Sequence, residues 1–477
     1  MSTRLPSAVS RLVVRSLSLL LLTASAAGQE PAIGVVHNND RAPLTLRAPN
    51  PSTTDSAVTA AASVLSRYSD PLQGASSSDL VRRALGANAE LAAARLEIER
   101  ARARLRQAGL RPNPSVDFEQ MTGSWTGSSG DQETSIAFTL PLELGGKRQR
   151  RIDLARAELE AVEAEVADRE RRLAADVRIA YVEALAALRE LETTEQLNNV
   201  DVQTAQIVKA RVDEGESAPL ELNLLRVEVD RLRSRRALVE GRLQAALLKL
   251  RSLAAISIDE PLRLREDLIA PLLPVAPASL EAAIDTALRT RPDLRLARLT
   301  ENVAQAGWRL ARAQATPDIA PFTRYTRSNS VFDNTPVGVL RDKDNLLSFG
   351  VSVSIPVFNR NQGAKDEAAA AIAQARHRRE FLEAVVRSEV AAALARYEAA
   401  RTALAAFEQG VIARSTQNIN SIRGAYEVGA FRVTDLLTEQ RRLVDSQREF
   451  IEALAERYRA MADLLCAMGE APDKRGN

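Results

Sequence analysis

The sequence is poor in the residue types that build disulfides, metal centres and catalytic sites. Its 477 residues include one cysteine, Cys466, and two histidines, His37 and His377. A single cysteine excludes an internal disulfide, and no group of His, Cys and Met has the spacing of a metal site. There is no phosphate-binding glycine loop and no pairing of a nucleophile with a base. We therefore expect a protein that is not an enzyme, with no catalytic, metal-binding or cofactor-binding residues and no cofactor.

Long apolar runs are also missing. The clearest one, Leu17–Leu22 with its neighbours, is too short for a membrane-spanning helix. It follows Arg4, Arg11 and Arg15. The small residues Ala24-Ser25-Ala26 come after it, which completes the order of a secretory signal. We predict that residues 1–26 are a signal peptide that is cleaved after export.

The charge balance and the cysteine position exclude two further classes. Without the three arginines of the signal, the formal net charge changes from +2 to −1, so nothing indicates a nucleic-acid partner. Cys466 lies far from the N-terminus, so we expect a protein that is not N-terminally lipidated. Charged residues interrupt every helical stretch, so any membrane insertion must use β-strands.

The composition that remains is typical of long helices. Aromatic residues make up 4% and charged residues 26% of the chain, and Ala, Leu, Arg and Glu are abundant. Residues 27–76 differ, because they are rich in Pro, Ser, Thr and Asn without a sustained period. We interpret them as an extended or disordered segment.

The rest of the sequence is duplicated, with a period of about 210 residues. Matching pairs include Leu85 with Leu288, Pro114 with Pro317, and Gly215 with Gly429. Each half predicts a helix, two short alternating segments, a very long helix, a glycine-containing break and a last helix. The predicted domains are a first repeat at 77–256, a linker at 257–277, a second repeat at 278–468 and a tail at 469–477.

The long helix of the first repeat carries a sustained apolar stripe at three-and-four spacing, which indicates a coiled-coil-like seam. We expect this helix to reach about 100 Å. Glu170 is the exception within the stripe. Its other members are Leu159, Val162, Val166, Leu173, Val177, Ala180, Ala184, Leu188 and Leu191.

The two alternating segments place apolar residues on one face and small polar residues on the other. This pattern suits a transmembrane barrel with a wet lumen. The alternative is a half-buried hairpin that packs on the helices. The polar stretches Trp125–Gln132 and Val331–Asn345 favour the barrel, because they suit exterior loops. The predicted lipid-facing residues are Ile136, Phe138 and Leu140 in the first repeat, and Phe349, Val351, Val353 and Ile355 in the second.

Two hairpins supply only four strands. Closed membrane barrels need about eight or more, and an open sheet edge is not tolerated in lipid. The sequence therefore predicts an oligomer.

The duplicated pattern resembles the TolC-like outer-membrane factors over nearly the whole mature sequence. The resemblance rests on the repeat itself, on Arg291-Pro292-Asp293-Leu294 at the start of the second repeat, on the strand-exit prolines Pro141 and Pro356, and on the two glycine breaks. It implies a mainly α fold with a small β part. Three copies would each give four strands to one transmembrane barrel, and their helices would form a periplasmic tunnel.

The same resemblance implies partners and a location. A homotrimer in the outer membrane, with a large periplasmic portion, would contact lipid and dock onto a periplasmic adaptor and a proton-driven inner-membrane pump. A channel subunit of this kind conducts cargo to the exterior. A different class, the periplasmic coiled-coil adaptor, shares the signal peptide and long helices but lacks the two hairpins.

The segment Leu140–Arg148 is similar to a motif of the cobalt–zinc–cadmium subgroup of this family, which implies divalent heavy-metal cations as cargo. Organic drugs, solvents or a secreted polypeptide are alternative cargoes in the same fold. From the residues alone, Pro141 ends a strand, Gly145 and Gly146 permit a bend, and a helix begins at Lys147. We favour this structural role for the segment over cation binding by Glu143.

The two glycine breaks suit reversals between antiparallel helices. The resemblance places both at the periplasmic tip, where the adaptor docks and the tunnel closes. Phe431 and Thr438 depart from the family pattern, which has an arginine and a second carboxylate there. Asp435 has an alternative role as an acid at a helix start. The predicted docking residues are Gly215, Glu216, Ser217, Gly429, Ala430 and Phe431, and the gate candidates are Tyr426, Arg432 and Asp435.

Overall fold

The computed structural model describes residues 66–123, 125, 131–269, 277, 279–332, 338, 340–427 and 430–470. The predicted signal peptide, most of the segment 27–76, and Gly429 lie outside the described residues.

The two repeats have the order of elements that the sequence predicts, with one exception: the long helix predicted for the second repeat is divided at Phe407–Val411, where Gly410 has non-helical backbone angles. The first contains α1 (Ser77–Ala87), α2 (Ala89–Ala108), β1 (Ser115–Thr122), β2 (Gln132–Thr139), α3 (Lys147–Asp213) and α4 (Pro219–Leu253). The second contains α5 (Leu280–Thr290), α6 (Pro292–Gln314), β3 (Ile319–Phe332), β4 (Leu340–Val353), α7 (Gln362–Ala406), α8 (Ile412–Glu427) and α9 (Val433–Ala467). A π-helical turn at Phe407–Val411 joins α7 to α8.

The prediction of one continuous helix at the start of each repeat is wrong. Asn88 separates α1 from α2, because its side chain accepts a hydrogen bond from the Leu91 N–H at 3.0 Å and so starts a new helix. Arg291 is at the equivalent place between α5 and α6. Pro292 follows it and suits only the first turn of a helix.

The long helix α3 has 67 residues, which corresponds to about 100 Å. Its predicted apolar stripe is confirmed: Val177, Ala180 and Leu191 are fully buried, and α4, α6 and α9 pack along the helix. Glu170, the exception in the stripe, accepts a hydrogen bond from Arg95 of α2 at 2.7 Å. None of the helices in the described ranges is both long enough and apolar enough to cross a bilayer.

The four strands form one antiparallel sheet in the order β1-β2-β3-β4. The stretch Val331–Asn345, predicted as a loop, is strand at both ends, because β3 runs to Phe332 and β4 begins at Leu340. The alternation is absent from Arg341 to Asn345, since both faces of β4 are polar there. The sequence pattern therefore missed about half of β4.

The segments that precede each repeat are ordered where they are described. Ser69 and Ala75 form bridges with Leu264, so parts of the predicted disordered segment and of the linker lie side by side. Leu264 is fully buried, and the Tyr181 hydroxyl of α3 donates to the Ala75 carbonyl at 3.1 Å. These contacts attach both segments to the helices.

Candidate functional site

The strand register divides the sheet into two faces, and the predicted lipid-facing residues share one of them. We call this the Val351 face and the opposite one the Ser352 face. Leu140 and Ile355 lie just beyond the ends of β2 and β4. The hydrophobic residues of the Val351 face are Val116, Phe118, Ile136, Phe138, Ile319, Pro321, Tyr325, Val331, Leu347, Phe349, Val351 and Val353.

The large apolar side chains of the Val351 face are exposed rather than packed on the helices. Phe349 is 76% exposed and Phe138 43%, whereas Ala137 on the Ser352 face is 5% exposed. Ser135 and Thr326, also on the Ser352 face, are buried. A hairpin that packs on the helices would bury these apolar side chains, so that alternative is wrong. The sheet therefore exposes a mostly apolar face, which the sheet of a soluble domain would bury.

Charge is divided between the faces as well. Arg324, on the Ser352 face, lies 4.0 Å from Glu119 of the same face. The acidic residues of the strands all lie on that face: Asp117, Glu119, Glu133, Asp342 and Asp344. Three basic residues lie on the Val351 face near the hairpin end of β3 and β4: Arg327, Arg341 and Lys343.

The joint between β2 and α3 is held by ion pairs. Arg151 donates to both oxygens of Glu143 and holds the pKa of that carboxyl below its usual value. Lys147 lies 2.7 Å from Asp318, at the start of β3. The Glu143 carboxylate is therefore engaged by the protein itself, which accounts for the structural role that the sequence favours over cation binding.

Glycine is required at the same joint. Gly145 and Gly146 have φ angles of +69° and +70°, a region that other residues rarely adopt. A Cβ atom on Gly145 would also lie 2.6 Å from the Thr316 hydroxyl oxygen. After the strands, Pro141 and Pro356 follow the ends of β2 and β4, as predicted from the sequence.

The first glycine break is a complete Schellman turn. Gly215 has φ +82°, its N–H donates to the Val212 carbonyl at 3.1 Å, and the Glu216 N–H donates to the Arg211 carbonyl at 2.8 Å. Pro219 then starts α4. Gly215 therefore reverses the chain as predicted, with Glu216 exposed and Ser217 half-buried beside it.

The second break repeats one of these bonds. The Ala430 N–H donates to the Ala425 carbonyl at 2.8 Å, which is the same six-residue connection as that from Glu216 to Arg211. Phe431 is exposed after it. The residues that remain of the predicted docking set are thus on two turns of similar geometry.

Tyr426 connects the two turns. Its ring packs against a cluster that combines both repeats, and burial together with the nearby Glu221 carboxylate raises the pKa of Tyr426. The members of that cluster are Val208, Leu222, Leu225, Val433 and Leu437. The second turn is therefore attached to the helices of the first.

Asp435 caps a helix. Its Oδ2 accepts a hydrogen bond from the Arg432 N–H at 3.1 Å, at the start of α9, and both side chains are exposed. This contact agrees with the alternative role of a helix-start acid. The gate role of Tyr426, Arg432 and Asp435 stays a prediction.

Sequence reasoning missed Asp201, the most deeply buried carboxyl near the tip. It is 1% exposed, and Gln440 of α9 donates to its Oδ1, while Oδ2 has no partner among the described residues. Burial raises the pKa of Asp201 to about 6. The signal was present in the sequence, because the apolar stripe continues past Leu191 through Thr194, Asn198 and Asp201 at the same spacing.

The fold is that of the TolC-like channel proteins. A solved structure of CusC, described as forming a transmembrane channel, superimposes with a TM-score of 0.70 at 22% sequence identity and covers 85% of this chain and 96% of its own. Residues 80–255 and 283–470 match the profile of the outer membrane efflux proteins. The chain belongs to the outer membrane efflux protein family.

Two relatives have names that refer to metals. The cobalt-zinc-cadmium resistance protein CzcC of Cupriavidus metallidurans is 25% identical over 384 residues, which are 79% of this chain and 86% of CzcC. The nickel and cobalt resistance protein CnrC of the same organism is 27% identical over 279 residues, which are 57% of this chain and 61% of CnrC.

Proposed function

We propose that three copies of this chain form an outer-membrane channel that exports divalent heavy-metal cations. The observation that carries this proposal is the inside-out sheet. Its exposed apolar face suits lipid hydrocarbon, and its polar, acidic face suits a water-filled lumen. The signal peptide would be cleaved after export, and the protein would carry no N-terminal lipid.

The strand number supports a trimer. β1 and β4 are the two edges of the sheet, and an unpaired edge is not stable in hydrocarbon. In a closed ring, β4 of one copy pairs with β1 of the next. Three copies supply twelve strands, which is enough to enclose a lumen.

The helices extend this channel into the periplasm. α3 runs from the joint at Lys147 to the turn at Gly215, so the turns lie about 100 Å from the sheet. Both turns place backbone and exposed side chains at the far end of the helices. We assign docking of a periplasmic adaptor to these turns. A proton-driven inner-membrane pump bound to that adaptor would deliver the cargo to the channel.

Two observations favour metal cations over drugs, solvents or polypeptides. The relatives CzcC and CnrC are named for resistance to divalent metals. The Ser352 face also carries five carboxylates against the single arginine Arg324, so a lumen lined by it would attract cations.

The test is deletion of the gene and measurement of growth inhibition by zinc, cobalt and cadmium salts, beside a panel of organic drugs. We expect greater sensitivity to the metals, restored by the wild-type gene. Sensitivity to the drugs alone would disprove the cargo but not the channel.

A further inference from the structure

The Val351 face changes character along its height. From Val353 to Leu347 it is apolar, a distance of about 20 Å along β4. The next side chains on this face are Asn345, Lys343 and Arg341, all exposed. Arg327 on β3 lies opposite Asn345. We call Arg327, Arg341 and Lys343 the basic patch.

The basic patch begins where the hydrocarbon should end. The apolar band of a membrane barrel is about 25 Å tall and is bordered by aromatic residues. Tyr325 lies at this border, and its hydroxyl donates to Asn345 Oδ1 at 2.8 Å. The patch lies on the hairpin side, away from the helices, which in the proposed function is the outer leaflet.

The three positive charges of the basic patch lie close together. Arg327 and Lys343 are diagonal neighbours across the β3–β4 pair, which places their Cβ atoms about 7–8 Å apart. The residues directly opposite the patch are neutral: Asn345, Asn329 and Val331. Across the described part of the chain, no ion pair involves any of the three.

A neighbouring copy would not supply the missing charge. The strand that would pair with β4 is β1 of the next copy. Its residues on this face are all neutral: Val116, Phe118, Gln120 and Thr122. The acids of β4, Asp342 and Asp344, lie on the opposite face, and the Asp131 carboxylate accepts a hydrogen bond from the Val331 N–H at 3.0 Å. An anion at the lipid surface would offset the repulsion between these like charges.

We propose that the basic patch binds the phosphate groups of a phosphorylated glycolipid in the outer leaflet. This inference rests on the proposed function, since it needs the Val351 face to contact lipid. Arginine forks match phosphate oxygens in pairs, and lysine adds a mobile point charge. The patch would thereby fix the height of the barrel in the membrane.

The experiment is a titration of the purified protein in neutral detergent with bisphosphorylated lipid A, followed by native mass spectrometry. The variant is R327Q/R341Q/K343Q, and the matched control is R324Q, which removes an arginine from the same strand on the opposite face. We expect at least about tenfold weaker lipid binding by the triple variant, because each lost charge near an anionic lipid surface weakens binding several-fold. We expect R324Q to bind like the wild type.

Two further arms separate the alternatives. Lipid A with its phosphates removed should bind the wild type and the triple variant equally. Millimolar inorganic phosphate should not displace the lipid; if it does, the patch is a site for free phosphate and the inference is wrong. Equal binding of bisphosphorylated lipid A by the wild type and the triple variant would also overturn it.

The same preparations are tested for conductance in planar bilayers. A wild-type protein that conducts but does not distinguish the two lipids would refute only this inference. A wild-type protein that forms no channel would refute the proposed function.

Discussion

Asp201 is a buried carboxyl group, and its ionisation should cost stability. In the unfolded chain it loses its proton near the ordinary pKa of 3.8, whereas in the folded protein burial raises the pKa to about 6. The folded state therefore binds the extra proton between these values. The free energy of unfolding should fall as the pH rises from 4 to 6, by up to about 3 kcal/mol, and the loss persists above pH 6.

The Asp201→Asn variant removes this loss, because an amide stays neutral and its oxygen can still accept from Gln440. We expect the variant to unfold at a higher temperature than the wild type at pH 8, with little or no difference at pH 4. The matched control is Asp230→Asn, which changes an exposed acid of α4. If the variant is no more stable than the wild type at pH 8, the ionised Asp201 does not destabilise the folded protein.

The predicted gate role of Asp435 can be tested by removing its charge. In a trimer, three copies of this exposed acid at the tip would form an anionic ring, which should attract cations and be blocked by multivalent ones. Asp435→Asn keeps an oxygen for the Arg432 N–H but removes the charge. We expect weaker cation selectivity and weaker block by trivalent cations in bilayer recordings, with the trimer intact. If selectivity and block match those of Asp230→Asn and the wild type, Asp435 serves only as a helix cap.

At the scale of elements, the register of β4 makes a sharp prediction. Val351 and Ser352 are adjacent but lie on opposite faces. Val351→Arg should destabilise the membrane-inserted protein by about 2–4 kcal/mol, because it places a charge near the middle of the hydrocarbon. Ser352→Arg points to the aqueous side and should be tolerated. Denaturant unfolding in lipid vesicles measures both, and equal losses would show that the faces are assigned incorrectly.

The order of the elements could be predicted from the sequence because the same hydrophobic pattern occurs in both repeats. The break at Asn88 could not, since the helical period continues across it and only the cap to Leu91 reveals a new helix. The first part of β4, which begins at Leu340, could not be predicted either. Asp344 and Asn345 are polar on both faces of the strand, so no alternation exists to detect.

The candidate site was predictable where it depends on local geometry. The turn at Gly215 is one case, since its conformation follows from the residue type. The contact of Tyr426 with the helices of the first repeat is not, because it joins residues about 200 positions apart that only the fold brings together. Asp201 could be predicted only in part. Its spacing fits the apolar stripe and indicates burial, but a carboxylate is usually on the surface.

At the scale of the whole molecule, the four-stranded sheet predicts the assembly. Native mass measurement in detergent should give three times the mass of the mature chain, since the interior of an eight-stranded ring from two copies has room for little more than its own side chains. Sheet edges left open in lipid would be unstable. A folded monomer that persists in detergent would rule out the shared barrel.

The exposure of Phe349 and its neighbours also bears on how the protein is made. A newly exported copy has no lipid around its apolar face and no neighbour on β1 or β4, and each of these surfaces promotes aggregation. We therefore expect single copies to be escorted by a chaperone until three of them meet. Overproduction would then accumulate aggregation-prone monomers in the periplasm rather than additional channels. The rate of synthesis must therefore stay within the capacity of the cell for chaperone binding and membrane insertion.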